Sequence, residues 1–238
     1  MFRTTLKKSA LALAAVAATT AAIAPAAASA ASVTQSGGTL YVTANPGETN
    51  DMRVTLTDSY VEILENNSGG VQPQSGTTCI TFSPGHARCN LLGVSFVRVN
   101  AGDMHDLVVG DIYSSSRAFT LSGGTGNDYL DVAGNVDNRA FIHGEDGDDQ
   151  LYGRQFGDTI YGGNGNDVIG AGAGTDSLNG GPGADRIDGG EDNDFIYAKD
   201  STRDVVQCGT GSDWAQIDRT WYGGLLDTVY AGCETLDS

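Results

Sequence analysis

Seven aspartates recur at one position of a nine-residue repeat. From Gly144 the sequence divides without insertion into GEDGDDQLY, GRQFGDTIY, GGNGNDVIG, AGAGTDSLN, GGPGADRID and GGEDNDFIY, and an isolated copy, GGTGNDYLD, begins at Gly123. Position six is always aspartate: Asp128, Asp149, Asp158, Asp167, Asp176, Asp185 and Asp194. Position eight is always Leu or Ile. Carboxylates without His or Cys at the repeat positions are the oxygen ligands of a hard cation such as Ca²⁺ rather than of zinc.

Each repeat predicts a tight turn followed by a short strand. Glycines at positions one, two and four permit positive φ and a close approach of main-chain carbonyls. In the strand that follows, the residue at position eight faces one side and its neighbours face the other. One unit cannot bury its single apolar side chain, whereas stacked units can, so the period predicts a solenoid.

The aspartate column gives a physical reason for a bound cation. Stacked strands lie about 4.8 Å apart, and two carboxylates about 5 Å apart repel by about 3 kcal/mol at an effective dielectric constant of about 20. Burial of one Leu or Ile contributes about 1.5–3 kcal/mol. Because the two energies are similar, we expect the column to be unstable until divalent cations neutralise it. Calcium accepts irregular sets of six or more oxygens, whereas magnesium requires a stricter octahedron.

The segment from Gly123 to Tyr197 resembles the RTX, or hemolysin-type, calcium-binding repeats, and the chain resembles the secreted actinobacterial proteins that carry them. The resemblance implies an all-β fold, a right-handed parallel β-roll whose successive units lie on opposite sides. Calcium would then lie between units two apart, about five Ca²⁺ ions in all. One column would hold Asp149, Asp167 and Asp185, with Asp128 above Asp149 if residues 132–143 form one irregular half-turn. The other column would hold Asp158, Asp176 and, at its end, Asp194. The backbone-carbonyl candidates are Gly144, Asp146, Asp148, Gly162, Asn164, Asn166, Gly180, Pro182 and Ala184.

Three departures from the repeat fall in units of the second column. Phe156 and Asp192 replace the glycine at position four, and Ala171 replaces the first glycine. We therefore expect the second column to bind calcium more weakly than the first.

Residues 1–30 are predicted to be a Sec-type signal peptide. They carry Arg3, Lys7 and Lys8 and no acid, followed by an apolar run over residues 10–24 and the small residues Ala28-Ser29-Ala30. Cleavage is expected after Ala30, which places the mature protein outside the cell. The run is too short to span a bilayer, so no membrane insertion is expected.

The charge balance excludes one class of partner. Without residues 1–30 the chain has 30 acidic against 10 basic residues, a net charge of −20. Nucleic acids and anionic membrane surfaces require a basic footprint, so neither is expected to bind. Calcium ions are the predicted partner, and the sequence names no macromolecular one.

The flanks are predicted to be caps. Residues 31–100 have period-two patterning and predict a small antiparallel β region. Degenerate repeats extend the roll over 101–216: Asp106 and Asp213 stand at position six, and Val205 is assigned to position eight. Residues 217–238 form the C-terminal cap, with an apolar cluster of Trp221, Tyr222, Leu225, Leu226, Val229 and Tyr230.

Four cysteines in an exported chain favour disulfides. Proximity favours Cys79–Cys89 and Cys208–Cys233 among the three possible pairings. The alternative is a metal site formed by Cys79, His86 and Cys89, for which the sequence offers no evident fourth ligand.

The sequence predicts a non-catalytic protein with no catalytic residues. It contains neither G-x-S-x-G nor H-E-x-x-H, and its histidines are His86, His105 and His143. The alternatives are a calcium-dependent surface adhesion or glycan-binding protein, which could use Tyr152, Tyr161 and Tyr197, and an accessory protein of an extracellular hydrolase. Alternation places Tyr152 on the opposite face from the other two tyrosines.

Overall fold

A computed structural model of the chain describes residues 31–66, 70–75, 77–114, 116–134, 139–219, 226–230 and 232–237. Every secondary-structure element assigned in these ranges is a β-strand, which confirms the all-β fold. No helix there is long and apolar enough to cross a membrane. The predicted signal peptide and its cleavage site lie outside the described residues, as do Trp221, Tyr222 and Leu225 of the predicted C-terminal cluster.

Apart from Cys79–Ser83, which is mostly exposed, the N-terminal strands have the alternating burial that the period-two pattern predicts. In one of them Leu40 and Val42 are buried and Tyr41 is exposed. These strands are β1 (Ala31–Ser36), β2 (Thr39–Thr43), β3 (Asp51–Leu56), β4 (Tyr60–Glu65), β5 (Val71–Pro73), β6 (Cys79–Ser83) and β7 (His86–Asn90).

The repeats then form short strands that follow glycine turns. These are β8 (Phe96–Asp103), β9 (Leu107–Ile112), β10 (Ala118–Thr125), β11 (Tyr129–Gly134), β12 (Ala140–Asp146), β13 (Gln150–Gln155), β14 (Thr159–Asn164), β15 (Val168–Ala173), β16 (Ser177–Asn179), β17 (Arg186–Glu191), β18 (Phe195–Ala198), β19 (Val205–Thr210), β20 (Asp213–Ile217), β21 (Thr228–Val229) and β22 (Cys233–Asp237).

Successive strands from β8 onward alternate between two sheets. One sheet has the order β22-β20-β18-β16-β14-β12-β10-β8-β2-β1-β5, and the other has the order β21-β19-β17-β15-β13-β11-β9-β3-β4-β7-β6. Every pair from β8 to β22 is parallel, so this part is the predicted parallel β-solenoid. Each coil contributes one strand to each sheet, and therefore equivalent residues of units two apart are hydrogen-bonded neighbours.

The antiparallel N-terminal strands continue the same two sheets. Strand β2 pairs in parallel with β8, and β3 pairs in parallel with β9. The antiparallel pairs are β1–β2, β3–β4, β4–β7 and β6–β7. The N-terminal region therefore covers the end of the roll and shares its core.

The core is a double line of position-eight side chains. On one sheet Ile142, Ile160, Leu178 and Ile196 stand in register, and all four are buried. On the other sheet the equivalent line is Leu130, Leu151, Ile169 and Ile187. Beside these lines the position-six aspartates are also buried, which places a column of acids along each edge of the core.

The repeat that begins at Ala198 is one residue longer than the sequence pattern suggests. Ile187 pairs with Val206, and Arg186 pairs with Val205. Val206 is fully buried and Val205 is partly exposed, so the assignment of Val205 to position eight is wrong. The extra residue lies before β19, where it does not disturb the backbone hydrogen bonds that fix the register.

Candidate metal centre

The position-six aspartates form two hydrogen-bonded columns. In the first column the backbone N–H of Asp149 donates to Asp167 Oδ1 and that of Asp167 donates to Asp185 Oδ1, both at 2.8 Å. Asp128 donates in the same way to Asp149 Oδ1 at 2.8 Å, so it stands next to Asp149 in the first column. The intervening residues 135–138 lie outside the described ranges.

The second column repeats this arrangement on the other sheet. The N–H of Asp158 donates to Asp176 Oδ1 at 2.6 Å, and the N–H of Asp176 donates to Asp194 Oδ1 at 2.9 Å. Asp194 in turn donates to Asp213 Oδ1 at 2.8 Å. The expectation that Asp194 ends this column is therefore wrong, because the column continues into the next coil.

The second oxygen of each carboxylate is buried without a hydrogen-bond donor. All seven predicted aspartates are only 1–2 % exposed. In each of them Oδ2 has no hydrogen-bond partner among the described residues. A buried acceptor without a partner costs about 1–3 kcal/mol, and more if it is charged. The columns therefore present a row of oxygens that need a cation or a proton.

Glycine at position one lets a column carboxylate and a carbonyl of the next coil pack closely against the backbone. A methyl carbon placed on Gly162 would lie 2.3 Å from Asp167 Oδ2 and 2.3 Å from the carbonyl oxygen of Gly180. On Gly144 it would lie 2.3 Å from Asp149 Oδ2 and 2.4 Å from the carbonyl oxygen of Gly162. The free carboxylate oxygen and a carbonyl of the next coil thus lie beside the same glycine, where a side chain would overlap both.

The three groups of carbonyl candidates differ in their surroundings. The position-one carbonyls of Gly144, Gly162 and Gly180 lie beside the position-one glycine of the neighbouring coil, and that of Gly180 also accepts the N–H of Gly163 at 2.9 Å. The position-three carbonyls of Asp146, Asn164 and Pro182 accept N–H bonds from Gly126, Gly147 and Gly165 of the neighbouring coil. At position five the coils are linked through side chains: Asp148 Oδ1 accepts the N–H of Asn166, and Asn166 Oδ1 accepts the N–H of Ala184. Which of these carbonyls coordinate calcium stays a prediction.

Protein carboxylates alone do not complete a ligand set. Nowhere in the described part of the chain do three His, Cys, Asp or Glu side chains surround one point. A cation beside an aspartate column would therefore need backbone carbonyls or water as its other ligands. An oxygen-only set of this kind, with an irregular shape, fits Ca²⁺.

Burial gives the column aspartates a high affinity for protons. Loss of water raises the pKa of Asp158 to about 8, and the charge of Asp176 adds to the rise. For Asp167 burial raises the pKa to about 7, with smaller contributions from Asp185 and Asp149. The hydrogen bond that each Oδ1 accepts acts in the opposite direction. Near neutral pH a proton would therefore compete with a cation for these carboxylates.

The substituted positions keep the turn geometry of the repeat. Phe156 and Asp192 have φ values of 68° and 76°, in the left-handed region that glycine adopts without strain. Ala171 is fully buried and carries a Cβ at position one, next to the Asp176 unit. Weaker calcium binding in the second column stays a prediction.

Both predicted disulfides are present, Cys79–Cys89 and Cys208–Cys233. The alternative metal site of Cys79, His86 and Cys89 is wrong, because both sulfurs are bonded to each other. His86 Nε2 instead lies 2.7 Å from Glu62 Oε1.

The other two histidines also have structural contacts. His105 Nδ1 accepts the N–H of Asn127 at 2.6 Å. The ring of His143 stacks on Tyr161 with centroids 5.2 Å apart.

Sequence reasoning omitted several members of the columns from the predicted ligands. Asp106 donates to Asp128 Oδ1, Asp185 donates to Asp204 Oδ1, and Asp204 donates to Asp227 Oδ1. Asp106 and Asp213 occupy position six of degenerate repeats, a signal that was visible in the sequence. Asp204 lacks that signal because its unit contains the extra residue.

Comparison with known proteins identifies the repeats. The family model of the RTX calcium-binding nonapeptide repeat (4 copies) matches residues 120–137, 143–178 and 170–200. No curated protein and no solved structure matches the chain. The matched residues include all seven predicted aspartates, and the match supports calcium as the ion that the repeats bind.

Proposed function

Since residues 120–137 and 143–200 are hemolysin-type RTX calcium-binding repeats, we propose that this chain is a secreted, non-catalytic calcium-binding protein that folds as its repeats take up calcium. The observation that carries the proposal is the row of buried Oδ2 atoms without donors in the described residues. Without calcium, each column contains carboxylates that repel one another and lack solvation. With calcium, each ion joins two coils.

The proposed number of ions follows from the aspartate pairs in the matched repeats. The first column provides three neighbouring pairs, Asp128–Asp149, Asp149–Asp167 and Asp167–Asp185. The second provides Asp158–Asp176 and Asp176–Asp194. One ion for each pair gives about five ions in the matched segment.

The burial of the acids supports a non-catalytic role. A general acid or base must come within hydrogen-bond distance of its substrate. The aspartates whose pKa values are raised include Asp158 and Asp167, which are 2 % and 1 % exposed. A raised pKa in these residues reflects burial in a column and offers no accessible group for a reaction.

The proposal that calcium drives folding is tested by removing the ion from the full chain. We expect circular dichroism to show strong β-structure in calcium and a largely unfolded chain in EDTA at neutral pH. Extracellular modules bind with dissociation constants of about 10⁻⁴–10⁻³ M, which would keep the chain unfolded before export. An unchanged spectrum and melting temperature in EDTA would refute it.

Export is tested separately from calcium binding. The full chain expressed in a secreting host should appear in the medium with Ala31 as its first residue. Retention inside the cells with an intact N-terminus would contradict the proposed location and leave calcium binding unaffected.

A cluster of aromatic side chains favours glycan binding as a second candidate. On one sheet face Trp214 lies 5.3 Å from Tyr197 and 6.5 Å from Phe195, between ring centroids. Phe195 and Tyr197 are 48 % and 38 % exposed. Exposed aromatic groups of this kind mark interaction sites. A glycan array in calcium buffer tests this candidate: we expect binding that is lost in Trp214→Ala, and an array without signals would exclude it.

A further inference from the structure

The outward side chains of one sheet form a surface without charge. Strands β12, β14, β16, β18 and β20 are in register, and each directs two side chains outward beside a buried central residue. One row of these side chains runs from Phe141 to Trp214, and the other runs from His143 to Gln216. Of the ten residues five are Phe, Tyr or Trp, four are Ser, Thr, Asn or Gln, and one is His. We call this surface the uncharged face.

The equivalent rows of the other sheet are charged. Over β11 to β19 they contain Asp131, Arg186 and Asp188. The whole chain has 30 acidic residues and a net charge of −17. A cationic partner would be attracted to the acidic parts of the molecule, and an anionic partner would be repelled by its net charge. The uncharged face is therefore suited to a partner that carries no charge.

Five aromatic rings project from the uncharged face. Phe141, Tyr161, Phe195 and Tyr197 are exposed, and Trp214 is partly exposed. Neighbouring strands of a sheet lie about 4.8 Å apart, so the rings are spread over about 19 Å from β12 to β20. A ligand that contacts all of them must be extended and must run across the strands.

Small polar side chains lie between the rings. Asn179 stands in register between Tyr161 and Tyr197, and Ser177 stands next to Phe195. Hydroxyl and amide groups both donate and accept hydrogen bonds. A sugar presents C–H groups on the faces of its ring and hydroxyl groups around its edge. Apolar ring faces that alternate with polar groups therefore match a chain of sugars.

Contacts among the rings order the uncharged face before a ligand binds. The ring of Trp214 lies 5.3 Å from that of Tyr197, between centroids, with 66° between the ring planes. His143 stacks on Tyr161, and burial lowers the pKa of His143, so its ring is neutral at pH 7. Side chains that are already ordered lose less conformational entropy when a ligand binds. The uncharged face is thus a preformed platform.

A second copy of this chain fits the uncharged face less well than a glycan does. Homodimer interfaces are more apolar than the rest of a protein surface, whereas four of the ten residues here have hydroxyl or amide side chains. Dimerisation would also bring together two molecules that each have a net charge of −17. Like charges repel, and a neutral ligand avoids that repulsion.

We propose that the uncharged face binds a linear glycan without charged groups, which runs across the strands from β12 to β20. The inference rests on the second candidate function and names its ligand class, an unbranched neutral glycan of several sugar units. The column aspartates take no part in it, because they are buried.

The test measures the binding of linear oligosaccharides to the full chain in calcium buffer by calorimetric titration. The neutral probes are dimers and hexamers of β-linked glucose, xylose, mannose or N-acetylglucosamine, and the charged probes are hexamers of galacturonic acid and of glucosamine. At least one neutral hexamer should bind at least tenfold more tightly than its dimer, because a disaccharide is too short to contact both Phe141 and Trp214. Equal binding of dimer and hexamer, or tighter binding of a charged hexamer, overturns the proposal. A panel without any binding overturns the second candidate function as well.

Substitutions decide whether the ligand covers the whole uncharged face. Tyr161→Ala should weaken binding of the neutral hexamer about fivefold, which corresponds to one aromatic contact. The matched control is Tyr129→Ala, which removes a ring from the outer side of the other sheet and should leave the affinity unchanged. If binding is lost in Trp214→Ala and unchanged in Tyr161→Ala, the second candidate function stands and the extended site is overturned.

Two further measurements cover the remaining outcomes. If Tyr161→Ala does not fold, as judged by circular dichroism in calcium, Asn179→Ala applies the same test on the neighbouring strand, and an unchanged affinity overturns the proposal. Sedimentation velocity should show a monomer. A dimer that dissociates in Trp214→Ala would assign the uncharged face to a second copy of the chain and overturn the proposal.

Discussion

Substitution of a single glycine should separate the calcium sites from the rest of the roll. In Gly162→Ala the new methyl carbon would lie 2.3 Å from Asp167 Oδ2 and 2.3 Å from the carbonyl oxygen of Gly180. In Gly170→Ala, the matched control, it would meet only the ring of Tyr152, at 3.2 and 3.4 Å. Neither glycine has φ in the left-handed region, so the two substitutions differ in what the methyl group contacts.

The expected size of the effect follows from these distances. Non-bonded heavy atoms are at their best separation at about 3.5–4.0 Å, so the Gly162→Ala contacts require movements of about 1 Å or more. Forcing an extra carbon into a packed site costs about 1–3 kcal/mol. For a domain of this size about 2 kcal/mol lowers the melting temperature by about 4–8 °C. Gly170→Ala should be neutral or stabilise by about 0.4–1 kcal/mol, because alanine restricts the unfolded chain.

Two measurements check this prediction in saturating calcium. Differential scanning calorimetry should give a lower melting temperature for Gly162→Ala than for Gly170→Ala. Calorimetric titration should show the loss of the ion next to Asp167 in the first variant and the full number of ions in the second. Equal melting temperatures and equal ion numbers would show that the atoms packed against Gly162 do not belong to a calcium site.

Three other perturbations test different parts of the structure. In EDTA, β-structure measured by circular dichroism should increase as the pH falls from about 8 to about 5. Burial raises the pKa of Asp158 to about 8. In this pH range the folded state therefore binds protons that the unfolded state releases, so protonation stabilises the fold. A signal that rises with pH would contradict this sign. The variant Cys208→Ser/Cys233→Ser should lose about 3 kcal/mol of stability in urea unfolding, since the bond closes a loop of 25 residues; an unchanged midpoint would show that the cap holds without it. Asn50→Asp should lower the stability by about 1.5–3 kcal/mol, because the amide that donates to Asp106 is replaced by a second carboxylate, and a midpoint equal to that of the unsubstituted chain would be the contrary result.

The raised pKa values and the glycine turns are the physical basis of the proposal that calcium drives folding of this chain. The backbone N–H of each aspartate satisfies one carboxylate oxygen of the next, which fixes the direction of every column. The remaining oxygen is left beside a glycine and a carbonyl of the next coil. A bound ion therefore neutralises the charge and joins two coils through one contact. We therefore expect the stability of the roll to depend on the ion as well as on the apolar core.

The flanking regions extend the same principle beyond the regular repeats. The N-terminal strands β2 and β3 pair in parallel with the first coil of the roll, so the core continues into them without a break. There Asn50 takes the place of an aspartate. Its side-chain amide donates a hydrogen bond to Asp106 Oδ1, where a column aspartate could offer no such donor. The chain thus closes one end of the roll with neutral groups and the other with acids and a disulfide.

The sequence by itself determined the repeating part of the molecule. In every unit Asp stands at position six and Leu or Ile at position eight. Side chains two residues apart in a strand point to the same face of the sheet, so the repeat places both on one face. The same spacing placed Asp149, Asp167 and Asp185 in one column. The disulfides also followed from the sequence, since Cys79–Cys89 and Cys208–Cys233 are the nearest pairs.

Only the tertiary structure decided how the irregular units join the columns. Asp128 and Asp149 are 21 residues apart and Asp185 and Asp204 are 19 apart, yet both pairs make the contact that joins residues 18 apart elsewhere. The extra residues lie in turns between the strands, where the chain absorbs them. Register is fixed by backbone hydrogen bonds between neighbouring strands, which do not depend on the number of residues in a turn. For that reason Asp204 and the division of each carboxylate into a bonded and a free oxygen could be found only in the folded chain.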